Sequence, residues 1–341
     1  MKIAMLAPIA WATPPAAYGP WEQVTSHLTE GLVARGVDVT LFATGTSRTA
    51  GTLVATVAEG YAERPGQDTK VLEYGHIGQV MARAAEFDLV HNQFDFMPLA
   101  FAPHLPVPLV TTVHGFGSER IVPLYARFDD AAHYVSISDS NRRPELTYAA
   151  TVYNGIDVTQ FTVNPTPGDY LLYFGRIHPE KGAAEAIEIA RRAGKPLVMA
   201  GLVQDEGYWR ERVQPYVDGQ SVRYVGNVGP AERDALLGGA LALLHPISFD
   251  EPFGLSVAEA MMTGTPVIAT HRGSMPELID DGRTGFLVGD TGAAAAAVQR
   301  LDALDRRHVA EVARRRFSVD QMVEGYLAVY ERVLTDFRTA R

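Results

Sequence analysis

No cysteine occurs among the 341 residues, so neither a disulfide nor a thiolate metal site can be part of this protein. Lysine is almost as scarce: apart from Lys2, Lys70, Lys181 and Lys195, every basic side chain other than histidine is an arginine. Basic residues as a whole fall short, 30 against 40 acidic ones, for a net charge of −10. That balance argues against nucleic acid as the main partner and against a broadly basic membrane-binding face. No apolar run reaches the length of about 18 residues that a membrane-spanning helix needs. Met1-Lys2 followed by Ile3–Ala7 resembles the start of a signal peptide, but Pro8, Pro14 and Pro15 break the run. A first β-strand is the better reading there, with the cytoplasm as the default compartment. Several catalytic templates are missing too: Asp-x-Asp, a Walker lysine loop, His-Glu-x-x-His and Gly-x-Ser-x-Gly. A metal bridging a diphosphate would have no obvious ligands, and no metal or other cofactor is expected.

What remains is an ordinary soluble composition, 47% hydrophobic and 21% charged, in a chain long enough for two domains. Short apolar strands alternate with helical patterns from the first residues. They run over 2–7, 37–42, 87–91, 108–113, 134–137 and 151–153, with helices around Trp21–Leu32 and Val71–Ala85. Such β-α alternation implies a parallel sheet covered on both faces. The periodicity stops near Phe161–Gly168, where two prolines and a glycine mark a linker. It restarts with strands at 170–174, 196–200, 222–225, 241–245 and 266–269. The expected domains are therefore residues 1–164 and 165–317, followed by a terminal helix over 318–341. Ser318 is a natural N-cap, and Val319, Met322, Val323, Tyr326, Leu327, Tyr330, Val333 and Leu334 form one apolar stripe. A helix this amphipathic must dock, and it is expected to cross back onto the first domain.

The chain is organised around Asp250-Glu251-Pro252-Phe253-Gly254-Leu255-Ser256-Val257-Ala258-Glu259-Ala260. Pro252 and Gly254 are poor helix-interior residues, so a helix should begin near Leu255 or Ser256. Its free N–H groups and the positive end of its dipole make an anion site next to Glu251. Eight residues at helical rise span about 12 Å, the length of a nucleoside diphosphate. The spacing suits phosphates at the N–H groups, a ribose near Glu259 and a sugar near Glu251. Ser256-x-x-Glu259 also fits a capping box, a purely structural use of the same carboxylate.

A second stretch, Gly175-Arg176-Ile177-His178-Pro179-Glu180-Lys181-Gly182, lies between a strand and the helix after it. In open α/β sheets ligands bind at that strand end. Arg176 and Lys181 could both reach one diphosphate, each contact being worth about 1.5–3 kcal/mol. The same loop could instead be solvated surface. His114-Gly115-Phe116-Gly117-Ser118-Glu119-Arg120, with Asp139 downstream, has some look of a dinucleotide fingerprint. Arg120 stands where its third glycine belongs, and NAD binding is not expected.

Together these residues resemble the retaining nucleotide-sugar glycosyltransferases of family 4. The likeness rests on Gly175-Arg176…Glu180-Lys181-Gly182 and on Glu251-Pro252-Phe253-Gly254-Leu255…Glu259-Ala260. Gly264–Ala269, Thr284–Val288, Asn154-Gly155-Ile156-Asp157 and His114-Gly115 extend it over nearly the whole chain. The resemblance implies the α/β GT-B architecture, two Rossmann-like domains with parallel sheets facing across a cleft, the donor held mainly by the second. By the same implication Arg176 and Lys181 hold the diphosphate and Glu251 accepts hydrogen bonds from sugar hydroxyls. The amides of Phe253, Gly254 and Leu255 line the sugar and phosphates, and Glu259 binds the ribose. Gly226, Asn227 and Val228 meet the base, and His114 faces the sugar near its C6 side. Gly19 falls in the loop that closes over the phosphates, where the family usually has a second glycine and this chain has Pro20, which lacks an N–H. Tyr18, Trp21, Glu22, His91 and Asn92 are candidates for the acceptor side, with Asp95 behind them.

The function so implied is metal-independent transfer of a sugar from a nucleoside diphosphate, UDP foremost, to an acceptor hydroxyl with retention. The acidic balance favours a soluble small molecule, such as a secondary metabolite, over a membrane lipid, although a glycan or a cell-envelope glycolipid stays open as acceptor. Arg314-Arg315-Arg316 is the one basic cluster that speaks the other way. A nucleotide-sugar epimerase or glycan phosphorylase of the same architecture, or an inactive nucleotide-sugar-binding protein, also remains open. Oligomeric state cannot be read from the sequence.

Overall fold

The computed structural model describes residues 1–16, 18–116 and 118–339, so Gly117 of the Gly-x-Gly pattern lies outside the described residues. Two compact units emerge, one made of Met1–Gly155 with Val319–Arg341 and the other of Ile156–Ser318.

The first unit is built on β1 (Lys2–Leu6), β2 (Asp38–Thr44), β3 (Thr52–Val57), β4 (Leu89–Asn92), β5 (Leu109–Val113), β6 (Ala132–Ser136) and β7 (Tyr148–Thr151). Their order across the sheet is β3-β2-β1-β4-β5-β6-β7, and every pairing is parallel. The central strands are buried on both faces, which is why they read as apolar runs without alternation. β3 falls in a stretch that reads as merely polar. It is a half-buried strand at the sheet's margin, with two Thr, two Val, one Leu and one Ala, and its pairing with β2 reveals it.

The second unit repeats the plan. Its strands are β8 (Leu171–Phe174), β9 (Leu197–Ala200), β10 (Val222–Tyr224), β11 (Ala242–His245), β12 (Val267–Thr270) and β13 (Gly285–Val288), in the order β10-β9-β8-β11-β12-β13. In each sheet the winding reverses beside the first strand, between β1 and β4 and between β8 and β11. A crevice opens at such a point because successive helices there cover opposite faces. In the second unit the loops flanking it carry Arg176–Lys181 and Ser248–Gly254.

The proline-rich segment 161–168 lies inside the second unit, not between the two. Phe161 is buried and its carbonyl accepts from Arg314 Nη2 at 2.7 Å. Asn164 N–H donates to Thr263 O at 2.9 Å and Gly168 N–H to Gly239 O at 2.8 Å. Its prolines shape a strap, and a strap this firmly bonded is no linker. Arg306, only 7% exposed, holds it further: Nε donates to Asn164 O (2.7 Å), Nη1 to Ala240 O (2.8 Å), and Nη2 to Gly238 O (2.8 Å) and Thr265 Oγ1 (2.7 Å). Replacing Arg306 by methionine keeps the stem but takes the donor from Asn164 O and Ala240 O, whereas Gly238 O keeps Asn164 Nδ2 (3.0 Å) and Thr265 Oγ1 keeps Thr263 Oγ1 (3.1 Å). We expect a loss of about 3 kcal/mol, since each buried orphan costs about 1–3 kcal/mol and partial relaxation recovers some of it. A urea midpoint equal to wild type would disprove this role.

The terminal helix Val319–Thr339 belongs to the first unit and buries Met322, Val323, Tyr326, Val329, Tyr330 and Val333. It packs on the first helix, Pro20–Ala34, where a Cβ on Gly31 would come within 2.5 Å of Val323. Arg35 and Asp320 pair across this contact at 2.8 Å. Of the basic cluster, Arg314 is tied to Phe161 O, Arg316 reaches Asp280 at 3.3 Å and Arg315 lies 3.7 Å from Glu311, so the three form no open basic face.

Candidate active site

Two glycines shape the loops at the β8/β11 crevice. Gly182 has φ +75°, and a Cβ there would lie 2.0 Å from Pro246 O; Gly273 has φ +55°, and its Cβ would lie 2.4 Å from Glu251 N. Neither position tolerates a side chain, because the positive φ is strained and the contact is with backbone. The loops are also stitched together. Ser248 N–H donates to Glu180 O (2.9 Å), Ser274 N–H to Glu251 O (3.0 Å), Ser274 Oγ to Phe253 O (2.7 Å) and Arg272 Nη1 to Ser248 O (2.8 Å). Phe253 is buried edge-on against Phe317, 5.9 Å between ring centres.

Within this frame the Lys181 ammonium bonds the Glu251 carboxylate, and the two side chains are 15% and 12% exposed. The sequence reading kept these groups apart, one on phosphate and one on sugar; the fold pairs them. Opposite charges this deeply set need each other, since either alone would bear the full desolvation penalty. Lys181 also sits over the Phe249 ring at 4.7 Å, and His245 Nε2 stands 3.5 Å from Glu251 Oε2. Burial by itself would raise the Glu251 carboxyl, but the His245 ring and the Lys181 charge outweigh it and hold Glu251 below the usual carboxylate range. Burial moves His245 the other way and keeps it neutral. Arg176, half-buried, donates to Gln204 Oε1, and Tyr173 OH donates to the Arg176 carbonyl at 2.6 Å.

The helix Leu255–Met262 starts at Gly254, so Ser256 is not its cap and the Ser256/Glu259 capping box does not form. The amides of Leu255 and Ser256 lie in its first turn and have no intrahelical acceptor. Glu259, 8% exposed, instead accepts from Arg233 Nη1 at 2.8 Å. Arg233 in turn donates to Gln160 Oε1 at 2.9 Å and covers Phe161. Burial raises the Glu259 carboxyl while Arg233 draws it back. Gly226 follows β10, and its carbonyl accepts from Gly201 N–H at 2.8 Å; Asn227 is exposed and Val228 half-buried.

In the first unit Gly19 precedes the first helix with φ +152°, and Pro20 opens that helix at a position whose N–H would have had no intrahelical acceptor. Glu22 is buried, accepts from Trp11 N–H at 3.2 Å, and is pushed by burial up to about 7. Tyr18 meets Trp11 edge-on at 6.4 Å, and Trp21 stacks on His114 at 5.2 Å. His114 Nε2 lies 2.7 Å from Gln93 Oε1. Two acceptor-side candidates need correcting. His91 is fully buried between Tyr330 OH (2.6 Å) and Thr112 Oγ1 (2.9 Å). Asn92 is fully buried too, donating to Asp95 O at 2.8 Å and accepting from Phe94 N–H at 3.0 Å. Asn92 is spent on holding the loop after β4 and His91 on tying β4 to β5 and the terminal helix, so both are engaged within the protein interior. Asp95 accepts from Tyr125 OH at 2.9 Å. Asn154-Gly155 is a packing feature, as a Cβ on Gly155 would meet Val319 Cα at 2.7 Å.

Sequence reasoning missed His245, Phe249, Gln204, Arg233, Gln160 and Gln93. His245 ends β11, six positions before Glu251, and could have been found by that placement. Arg233 and Gln160 carry no local signal.

Comparison with known proteins bears on the whole chain. The model for Glycosyltransferase Family 4 matches residues 21–160, and that for glycosyl transferases group 1 matches residues 159–315. The sequence is similar to the glycogen synthase of Mycobacterium tuberculosis, 26% identical with 94% of this chain and 91% of the relative covered. The structure is similar to AviGT4, a glycosyltransferase involved in avilamycin A biosynthesis (TM-score 0.74, 23% identity, 98% of each chain). It is also similar to Anabaena HepE in complex with UDP-glucose (TM-score 0.71, 17% identity, 99% of this chain and 100% of the other). Two parallel Rossmann-like sheets, each with its own crevice, and two family models that meet where the units divide lead to one conclusion: the chain belongs to the family 4 glycosyltransferases and has the GT-B fold.

Proposed function

We propose that this glycosyltransferase moves a hexose from a nucleoside diphosphate sugar, UDP-sugar foremost, to a hydroxyl of a soluble small acceptor, retaining the anomeric configuration. The observation that carries the proposal is the meeting of Lys181 and Glu251 beside the amino end of the Leu255–Met262 helix, at the crevice of the second sheet. Arg176, Lys181 and the amides of Phe253, Gly254 and Leu255 supply positive charge and N–H donors to a diphosphate. As the bond from the anomeric carbon to the phosphate oxygen breaks, its electron pair passes to the diphosphate, where these groups stabilise it. Glu251, ionised, accepts from sugar hydroxyls. Glu259, held by Arg233, accepts from the ribose, and Gly226, Asn227 and Val228 meet the base. The acceptor oxygen then bonds the anomeric carbon on the face the phosphate leaves, and its proton goes to a phosphate oxygen; family membership supports this same-face course.

Because these groups already carry charge complementary to the leaving group, departure needs no metal. In unit 1 the same reading makes His114 a partner of a sugar hydroxyl and leaves Gly19 near phosphate. Tyr18, Trp21 and Glu22 stand on the acceptor side. The UDP preference draws on the nucleotide in the HepE complex. The soluble acceptor draws on the acidic balance, on the acidic or carbonyl partners that Arg314, Arg315 and Arg316 each have nearby, and on AviGT4's involvement in avilamycin A biosynthesis. Among the described residues no helix is long and apolar enough to cross a membrane.

A thermal-shift panel of UDP, GDP, ADP and their sugars, with and without EDTA, tests the donor side. A ligand at about 100 times its Kd adds about 2.7 kcal/mol, which raises Tm by roughly 5–10 °C for a unit of this size. We expect the largest shift from UDP and UDP-hexoses, unchanged by EDTA. No shift with any nucleotide would overturn the donor assignment, and a shift abolished by EDTA would overturn metal independence. Transfer to an acceptor without phosphate dependence or donor isomerisation separates this activity from a phosphorylase or an epimerase.

A further inference from the structure

His114 does not stand alone. Its Nε2 lies 2.7 Å from Gln93 Oε1, and Gln93 Nε2 lies 3.1 Å from His91 Nε2. His91 Nε2 is also 2.9 Å from Thr112 Oγ1, whose oxygen is 2.6 Å from Tyr326 OH. On its other side His91 Nδ1 is 2.6 Å from Tyr330 OH. Every member of this chain is buried: His91 and Gln93 are 0% exposed, Tyr330 0%, Tyr326 1%, Thr112 3% and His114 7%. The network runs from the end of β5 through the loop after β4 to the terminal helix, all within the first unit. Among the described residues, no group bonds to His114 Nδ1.

Donor and acceptor bookkeeping gives this chain a direction. An amide oxygen only accepts, so the proton on His114 sits at Nε2 and Nδ1 carries the lone pair. The Gln93 amide nitrogen only donates, so His91 Nε2 is unprotonated; Thr112 donates to it as well, and Tyr326 donates to Thr112. His91 Nδ1–H then donates to Tyr330. Burial pushes both imidazoles down to about 3, so both are neutral at ordinary pH.

We propose that Gln93, backed by His91, Thr112, Tyr326 and Tyr330, is a positioning residue that fixes the tautomer of His114, leaving its Nδ1 as a bare acceptor for a substrate hydroxyl. The inference rests on the reading of His114 as a sugar contact, and it adds the side chains that decide which nitrogen is offered. Trp21 stacked on the ring at 5.2 Å holds its plane, and Gln93 holds its proton.

The test uses the full chain with ¹⁵N-labelled histidine. Long-range ¹H–¹⁵N correlation reads the tautomer directly, and His114→Gln identifies the signals. Wild type is expected to show protonated Nε2 and unprotonated Nδ1 at His114; the opposite tautomer overturns the proposal. Gln93→Met keeps the volume but removes both bonds. It should give a mixture of tautomers and a kcat lower by about tenfold, the equivalent of about 1.4 kcal/mol, with the donor KM within about twofold. An unchanged tautomer in Gln93→Met also overturns the proposal. Should that variant fail to fold, Tyr330→Phe, which loses only a hydroxyl, is expected to admit the second tautomer at His114; the pure wild-type tautomer there overturns the relay. A shifted tautomer with unchanged kcat would leave Gln93 in control of the proton but sink the role of His114 toward sugar.

Discussion

Glu251→Ala is expected to lower kcat for sugar transfer by about 10³-fold while UDP affinity stays within about threefold of wild type. The asymmetry follows from what each partner of the Lys181–Glu251 pair touches. In the proposed complex Glu251 accepts from sugar hydroxyls whose orientation matters most as the anomeric carbon gains positive charge. An anionic oxygen within a few ångströms of that centre is worth more in the transition state than in the ground state. UDP alone has no donor sugar, so its binding does not need Glu251. Removing the carboxylate even frees Lys181 from its present partner. Glu251→Gln should fall between the two, keeping an acceptor oxygen while losing the charge. Isothermal titration with UDP and steady-state kinetics with a UDP-hexose make the comparison. If UDP affinity falls in parallel with kcat, Glu251 serves to hold Lys181 and is not a sugar contact.

The second large effect is on binding. Arg176→Ala combined with Lys181→Ala should weaken UDP by about 10²–10⁴-fold, since each charge-assisted contact is worth about 1.5–3 kcal/mol. Their loss leaves the helix amides as the remaining donors to the diphosphate. Lys181→Ala alone carries a complication visible in the fold: Glu251 is 12% exposed and would be left without its cation. Buried carboxylates stripped of a partner destabilise the surrounding structure. The urea midpoint of each variant therefore belongs beside its affinity. A double variant that unfolds like wild type yet binds UDP equally well would remove both residues from the donor site.

The two stretches that carry these predictions were legible because their chemistry is local. Gly175–Gly182 and Glu251–Ala260 are each a strand end, a turn and a helix start, and the residues that shape such a unit are sequence neighbours. The alternation of strands and helices was legible for the same reason, down to the apolar stripe of the terminal helix. What escaped was everything set by a distant partner. Glu259 reads equally well as a cap or as a ribose ligand, and only the approach of Arg233, 26 residues away, shows that its carboxylate is already engaged within the protein. His91 and Asn92 at a strand end invited a role in binding, whereas Tyr330, 239 residues further on, claims His91 for the interior. The segment around Pro165 and Pro167 has the composition of a linker, and its long-range bonds to Arg306 and Arg314 make it part of a core. Local signals name the turn chemistry; they do not say which buried group a turn is fastened to.

The assignment of Val319–Arg341 to the first unit has a consequence for biosynthesis. Residues 1–155 leave the ribosome before residues 156–318, yet the face that waits for Tyr326, Tyr330 and Val323 is completed only by a segment made after both. Residues 156–318 are contiguous and can close their sheet while that earlier half still lacks its covering helix. The usual order, in which the amino-terminal domain is complete before the next one is made, is therefore not open to the first unit. A truncation at Val319 would spare residues 156–318 and cripple residues 1–155.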